Sequence, residues 1–322
     1  MSDAAASASP PSAPAAPAVD RSPSNVRVWL LAIRPATLPA AVGPVLVGLG
    51  ASIGSGAAFR LDTALACLAV ALLLQVAANL ANDLADFRRG ADTPDRTGPV
   101  RVAAAGLMTE RRLEVGIGVV IAASAAIGAY LAVVGGVIML GLGALAVVSA
   151  LAYTGGPWPY GYRGLGEVFV FAFFGLMAVA VTAYLQAGRI ETVYLLAAIP
   201  MGALITGILV VNNLRDIPTD RAAEKRTLAV TFGEGFAKAE YYAMLVVAAV
   251  APVTLLAARL AGPAVLLPLF TGLMVEPMVR EVAAVGPGSD RRRLNRVLAG
   301  TARLSLVYGV LFAAGLSIRI GA

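Results

Sequence analysis

The chain alternates long uncharged runs with short charged ones, and the runs have the length of bilayer crossings. Thr63 to Asn82 holds 20 residues without a charge, Val115 to Tyr162 holds 48, Val168 to Gly188 holds 21 and Thr192 to Leu214 holds 23. A helix needs about 20 apolar residues to cross the hydrocarbon core. The 48-residue run fits two helices joined by a tight turn, with Gly135-Gly136 near its middle. The pattern predicts an all-α integral membrane protein with about nine transmembrane helices in one bundle, over 27–50, 62–84, 114–134, 137–154, 166–187, 192–213, 239–258, 263–284 and 297–318. Pro35, Pro39 and Pro44 interrupt the first span and predict a kink there. The eighth span carries Glu276 and Arg280 one turn apart, the spacing of a structural ion pair.

Charge then orients the bundle. Residues 1–24 are mostly Ala, Ser and Pro, a composition that cannot bury a core and lacks the apolar stretch of a signal peptide. They are expected to form a disordered cytoplasmic tail ahead of a transmembrane domain over 25–322. With the N-terminus inside, 21 of the 25 Lys and Arg residues fall on the inner side. The exceptions are Arg60, Arg189, Arg259 and Arg319. This obeys the positive-inside rule and predicts a multi-pass cell-membrane protein. It also accounts for the net charge of +6 without nucleic acid as a partner.

Composition removes much chemistry. There is no histidine, and Cys67 is the single cysteine. Zinc sites built on His or Cys pairs, iron–sulfur clusters, intrachain disulfides and Ser-His-Asp triads are excluded. Cys67, inside an apolar run, is expected to be packing. No Gly-Lys dipeptide occurs, so there is no Walker-type phosphate loop.

Two polar clusters remain, both at inner ends of spans. The first reads Asn79-Leu-Ala-Asn82-Asp83-Leu-Ala-Asp86. Residues three or four apart share a helix face, so these four side chains project together. The second, Asn212-Asn213-Leu-Arg-Asp216-Ile-Pro-Thr-Asp220, repeats the arrangement four spans later. An even spacing gives both the same orientation and suggests a parallel internal repeat. Carboxylates at this spacing repel unless a cation lies between them, and Mg²⁺ is typically held by one or two carboxylates plus substrate phosphates. Asp83, Asp86, Asp216 and Asp220 are therefore candidate metal ligands. Ionisable and amide side chains at membrane depth are costly, which adds Asn79, Asn82, Asn212 and Asn213 as candidate substrate contacts. Arg96, Arg101, Lys225 and Arg226 flank the aspartates and are candidates for phosphate oxygens. Arg88, Arg89, Arg111, Arg112 and Arg291–Arg293 are expected to be orienting charge only. A third inner loop, Tyr153-Thr-Gly-Gly-Pro-Trp-Pro-Tyr-Gly-Tyr-Arg163-Gly-Leu-Gly-Glu167, is rich in turn residues and aromatics. In it Tyr153 could be a membrane-boundary anchor or steady a cation through its ring face.

Asn82-Asp83-x-x-Asp86 and Asp216-x-x-x-Asp220 resemble the two aspartate motifs of the UbiA superfamily of intramembrane aromatic prenyltransferases. The resemblance covers about residues 27 to 318. Asp95-Arg-Thr-Gly-Pro-Val-Arg101, Tyr153-Thr-Gly-Gly-Pro157, Gly164-Leu-Gly-Glu167, Asn212-Asn-Leu-Arg-Asp216 and Lys225-Arg-Thr-Leu228 resemble its 1,4-dihydroxy-2-naphthoate polyprenyltransferase branch, and Arg34-Pro35 fits it too. Many superfamily members have a third Asp where this chain has Gly90, with Asp92 following.

The resemblance implies a UbiA-like bundle and Mg²⁺-dependent transfer from a polyprenyl diphosphate to 1,4-dihydroxy-2-naphthoate, with release of diphosphate and CO₂ in menaquinone synthesis. It makes Asp83, Asp86, Asp216, Asp220 and Tyr153 the catalytic set and adds Arg34 to the substrate contacts. Two alternatives stay open on the residues alone. One is a sister enzyme using another acceptor, such as 4-hydroxybenzoate or homogentisate. The other is a cation transporter.

Overall fold

The computed structural model describes residues 23–91, 97–286 and 288–318. The expected tail falls almost wholly outside them, as do Asp92 and Arg96. Among the described residues there is no strand, and the apolar runs are helices. These are α1 (Asn25–Ile33), α2 (Pro39–Gly54), α3 (Leu61–Arg88), α4 (Glu110–Gly135), α5 (Ile138–Ala152), α6 (Gly166–Ala187), α7 (Thr192–Ala222), α8 (Glu234–Ala257), α9 (Val275–Ala283) and α10 (Leu294–Ser317).

Nine crossings are not established. Among the described residues six helices are long and apolar enough to span a membrane, and seven if α1 and α2 form one bent span. That bend is 48° and falls between Thr37 and Pro39, within the stretch of prolines that predicts a kink. Arg34 closes α1 in the left-handed region at φ 56°, and Pro35 cannot continue the helix hydrogen bonds. The fourth predicted span, α5, has only 15 residues. The eighth is a 3₁₀ stretch over Pro263–Met274 followed by the 9-residue α9. Glu276 and Arg280 pair on α9 as expected.

Helix α7 is the centre of the bundle. Of its most apolar window 67% is buried, against 11% for α4, whose Val119 and Val133 point outward. Around it, α2 packs along α10, α7 along α8 and α3 along α4. The α2–α10 seam is made by small residues, which let membrane helices approach backbone to backbone. A side-chain carbon on Gly50 would stand 2.3 Å from the Ala313 carbonyl oxygen, and one on Gly309 would stand 2.9 Å from the Gly43 Cα. Cys67 is buried packing, in a core cluster with Val45 and Leu131.

Internal prolines leave carbonyls without helical partners, and side chains fill them. Pro252 cannot serve the Ala248 oxygen, and the Tyr308 hydroxyl donates to it at 2.8 Å. Pro218 cannot serve the Leu214 oxygen, and Arg291 Nη1 donates to it at 2.6 Å. Arg291 is therefore structural, not merely an orienting charge. Arg89 is likewise recruited, through bonds to the Thr154 and Gly156 oxygens at 3.1 and 2.8 Å. Arg88 meets Glu110 and Glu114 at the exposed start of α4.

Candidate active site

The C-terminal ends of α3 and α7 carry the two aspartate clusters. Two loops, 97–109 and 153–165, cover them.

Asp83 on α3 is fully buried, and both its oxygens accept backbone N–H groups of the covering loop, from Val102 at 3.0 Å and Ala103 at 3.1 Å. Arg34 lies 3.7 Å from the same carboxylate. In this arrangement Asp83 anchors the loop. Asp86, one turn on, accepts from Arg101 Nη2 at 2.7 Å and from the Tyr162 hydroxyl at 3.0 Å. Asn82 accepts from Thr154 at 2.9 Å, tying the second loop to α3. Asn79 turns toward α1, donating to the Ile33 oxygen at 2.8 Å and to Thr37 at 2.9 Å. It braces the helix entry.

On α7, Arg215 has no exposed surface at its side chain and holds Asp216 in a forked contact, at 2.7 and 2.6 Å. It also donates to Asn212 at 2.7 Å and to Asn295 on α10 at 2.8 Å. Breaking such a buried pair costs about 3–5 kcal/mol, because one charge is left uncompensated. Asn295 in turn donates to the Thr97 carbonyl at 2.9 Å, fastening the loop to the second cluster. Asn213, one turn before Asp216, reaches α6 and donates to Glu167 at 2.7 Å. Asp220 lies 3.6 Å from Lys225, and its Oδ2 is buried without a hydrogen-bond donor among the described residues.

Tyr162 joins the halves. Its hydroxyl meets Asp86, its ring lies 5.4 Å from the Lys225 ammonium and 5.3 Å from the Arg89 guanidinium, and its carbonyl accepts the Arg226 N–H at 3.0 Å. Burial and the Asp86 charge both push its phenol upward. Burial works against the Lys225 charge, but Asp220 and then Asp86 outweigh it and hold the ammonium above its usual range. Lys225 thus stays positive between two carboxylates on different helices.

Tyr153 packs edge-on against Tyr160 at 5.4 Å. Side-chain carbons on Gly161 or Gly166 would come within 3.1 and 3.4 Å of its ring. Those two glycines make its seat. The structure thus gathers Asp83, Asp86, Arg101, Asp216, Asp220 and Lys225 at one end of the bundle. Arg226 is exposed, and only its backbone takes part. Sequence reasoning left Tyr162, Arg215, Glu167 and Asn295 out of the site. Tyr162 and Glu167 sat in the quoted loop, but nothing in their spacing marked them. Asn295 carried no signal.

An apolar bundle whose one end encloses carboxylates, a guanidinium and an ammonium defines a multi-pass membrane enzyme for a charged substrate. The sequence pattern of the UbiA prenyltransferase family matches residues 41–307, and the chain belongs to that family. It is similar to 1,4-dihydroxy-2-naphthoate octaprenyltransferase of Mycobacterium tuberculosis (strain ATCC 25618 / H37Rv), 40% identical over 90% of this chain and 96% of that one. The protein of the same name from Haemophilus influenzae (strain ATCC 51907 / DSM 11121 / KW20 / Rd) is 34% identical over 91% and 97%. A UbiA homolog from Archaeoglobus fulgidus, solved bound to GPP and Mg²⁺, shares the fold with a TM-score of 0.60 at 16% identity, covering 90% of this chain and all 100% of that one. Family membership sets the cation-transporter reading aside.

Proposed function

We propose that the protein transfers a polyprenyl group from polyprenyl diphosphate to 1,4-dihydroxy-2-naphthoate, releasing diphosphate and CO₂ and giving the reduced, quinol form of demethylmenaquinone. The observation that carries the site is the Asp86–Tyr162–Lys225–Asp220 bridge, which makes one anion-receiving end from two helices. The acceptor follows from relatives of that name at 34–40% identity over nine-tenths of the chain.

The donor set fits a metal that arrives with its substrate. Among the described residues no three carboxylate, His or Cys side chains gather closely enough to hold an ion alone. Mg²⁺ bound mainly through diphosphate needs only one or two protein carboxylates. Asp86, Asp216 and Asp220, whose Oδ2 has no donor among the described residues, would supply them, while Asp83 keeps the covering loop in place. When bound, Mg²⁺ would neutralise charge on the diphosphate.

The chain's own groups do the rest. Arg101 and Lys225 put positive charge where the breaking allylic C–O bond leaves its electron pair on diphosphate. The apolar helices keep water from the allylic carbon. The electron-rich ring attacks that carbon, and its carboxylate leaves as CO₂. No ring proton needs a base, which suits a chain without histidine. Tyr153, packed beside this end, would steady developing positive charge through its ring face. The positive-inside distribution supports a cell-membrane location with the N-terminus and this end in the cytoplasm.

Membranes containing the protein, supplied with Mg²⁺, a polyprenyl diphosphate and either dihydroxynaphthoate or 4-hydroxybenzoate, test the reading by mass spectrometry. Prenylated, decarboxylated product from the naphthoate is expected. Product from the benzoate alone would contradict the assignment.

A further inference from the structure

Two shielded oxygens stand one turn inward of the second aspartate cluster. Glu167, in the first turn of α6, is 5% exposed, and Asn213 on α7 is 2% exposed. The amide of Asn213 donates to Glu167 Oε1 at 2.7 Å. That bond orients the amide and leaves Asn213 Oδ1 and Glu167 Oε2 buried with no donor among the described residues. Buried acceptors in folded proteins are nearly always met by a donor. A carboxylate is the costlier kind to leave unmet. The Glu167 backbone N–H approaches its own carboxylate and Lys225 acts on it electrostatically, but among the described residues neither Glu167 Oε2 nor Asn213 Oδ1 has a partner in hydrogen-bond geometry. Two unmet acceptors side by side suit a ligand that brings hydroxyl hydrogens.

The place suits such a ligand. Asn213 lies three residues before Asp216 on α7, so it projects one turn deeper into the bundle from the aspartates. A prenyl chain is apolar and extends from the diphosphate into the bundle, and an acceptor ring must reach the carbon beside the diphosphate. One aromatic side chain stands on this side: Tyr153 sits over Gly166, next to Glu167.

We propose that Glu167 and Asn213 receive the hydroxyl groups of the aromatic acceptor. Building on the function above, this assigns its second substrate a seat distinct from the diphosphate end. A hydroxyl donating to the Glu167 carboxylate keeps its proton and enriches the ring in electron density, which favours attack on the allylic carbon. It also selects acceptors by hydroxyl position, because a site with unpaired polar groups rejects a ligand lacking the partner.

The test is steady-state kinetics of the full-length protein in membranes, varying dihydroxynaphthoate and polyprenyl diphosphate separately. Glu167→Gln presents an amide N–H₂ or a weaker acceptor in place of the carboxylate, and Asn213→Leu removes the second oxygen. Each is expected to raise the KM for dihydroxynaphthoate by about tenfold or more, the size of a lost charge-assisted hydrogen bond. The KM for polyprenyl diphosphate stays within about twofold, as a contact to one substrate only requires. An unchanged naphthoate KM, equal rises in both constants, or loss of folded protein in both variants would each overturn the proposal in favour of a structural pair. Wild-type protein inactive on dihydroxynaphthoate would instead contradict the functional reading itself.

Discussion

Arg291 donates to the carbonyl oxygen of Leu214 at 2.6 Å, and that oxygen is the one Pro218 leaves without its helical partner. The same guanidinium pairs with Glu234 at 2.5 Å. One side chain thus repairs α7 in the turn from Leu214 to Pro218, which carries Asp216, and ties it to α8.

Arg291→Ala should therefore destabilise the protein by about 1–3 kcal/mol, the range for a buried acceptor left unmet. Arg292 is exposed and uses only its backbone N–H, toward Asp290. Arg292→Ala should leave stability unchanged. Thermal unfolding in detergent, with the two variants side by side, checks this.

Tyr308 and Pro252 make the companion case. Tyr308→Phe removes the donor to the Ala248 oxygen and should cost about 1–3 kcal/mol. Pro252→Ala restores a backbone N–H for that oxygen. The double variant should recover most of the loss. A double variant as unstable as Tyr308→Phe alone would show that the hydroxyl does not serve that carbonyl.

Asp83 and Asp220 should separate by what they hold. Asp83→Asn turns an N–H donor toward the Val102 and Ala103 N–H groups, so it should free the 97–109 loop. Amide exchange at those two residues should quicken, and activity should fall with it. Asp220→Asn leaves the Asp83 contacts in place, so exchange in the loop should match wild type while activity is lost. Hydrogen-exchange mass spectrometry with a parallel rate assay distinguishes the two. Unaltered loop protection in Asp83→Asn would contradict its role as anchor.

The aspartate clusters were legible because a spacing of three or four residues puts carboxylates on one helix face, and apolar flanks made them conspicuous. The same local signal could not divide their labour. Asp83 and Asp86 are equivalent by spacing, yet one faces backbone N–H groups 19 and 20 residues away while the other faces Arg101 and Tyr162. Arg291 looked like one charge in a run of three, since its partner is a carbonyl freed by a proline 73 positions earlier in the chain. Hydropathy located every apolar segment but could not count crossings. Over Pro263–Met274 the backbone winds as 3₁₀ and the helix that follows is short, a difference of backbone winding that composition does not carry.

If α3 and α7 contribute to one metal–diphosphate site, their aspartates act as a unit. The most direct measurement is kcat/KM for Asp86→Asn, Asp216→Asn and the double variant, in Mg²⁺ and after chelation. Groups acting as a unit are strongly non-additive. Each single variant should lose about a hundredfold or more, the double variant should be little worse than either, and chelation should abolish wild-type activity. Losses that multiply in the double variant, or full activity without divalent metal, would contradict a shared site.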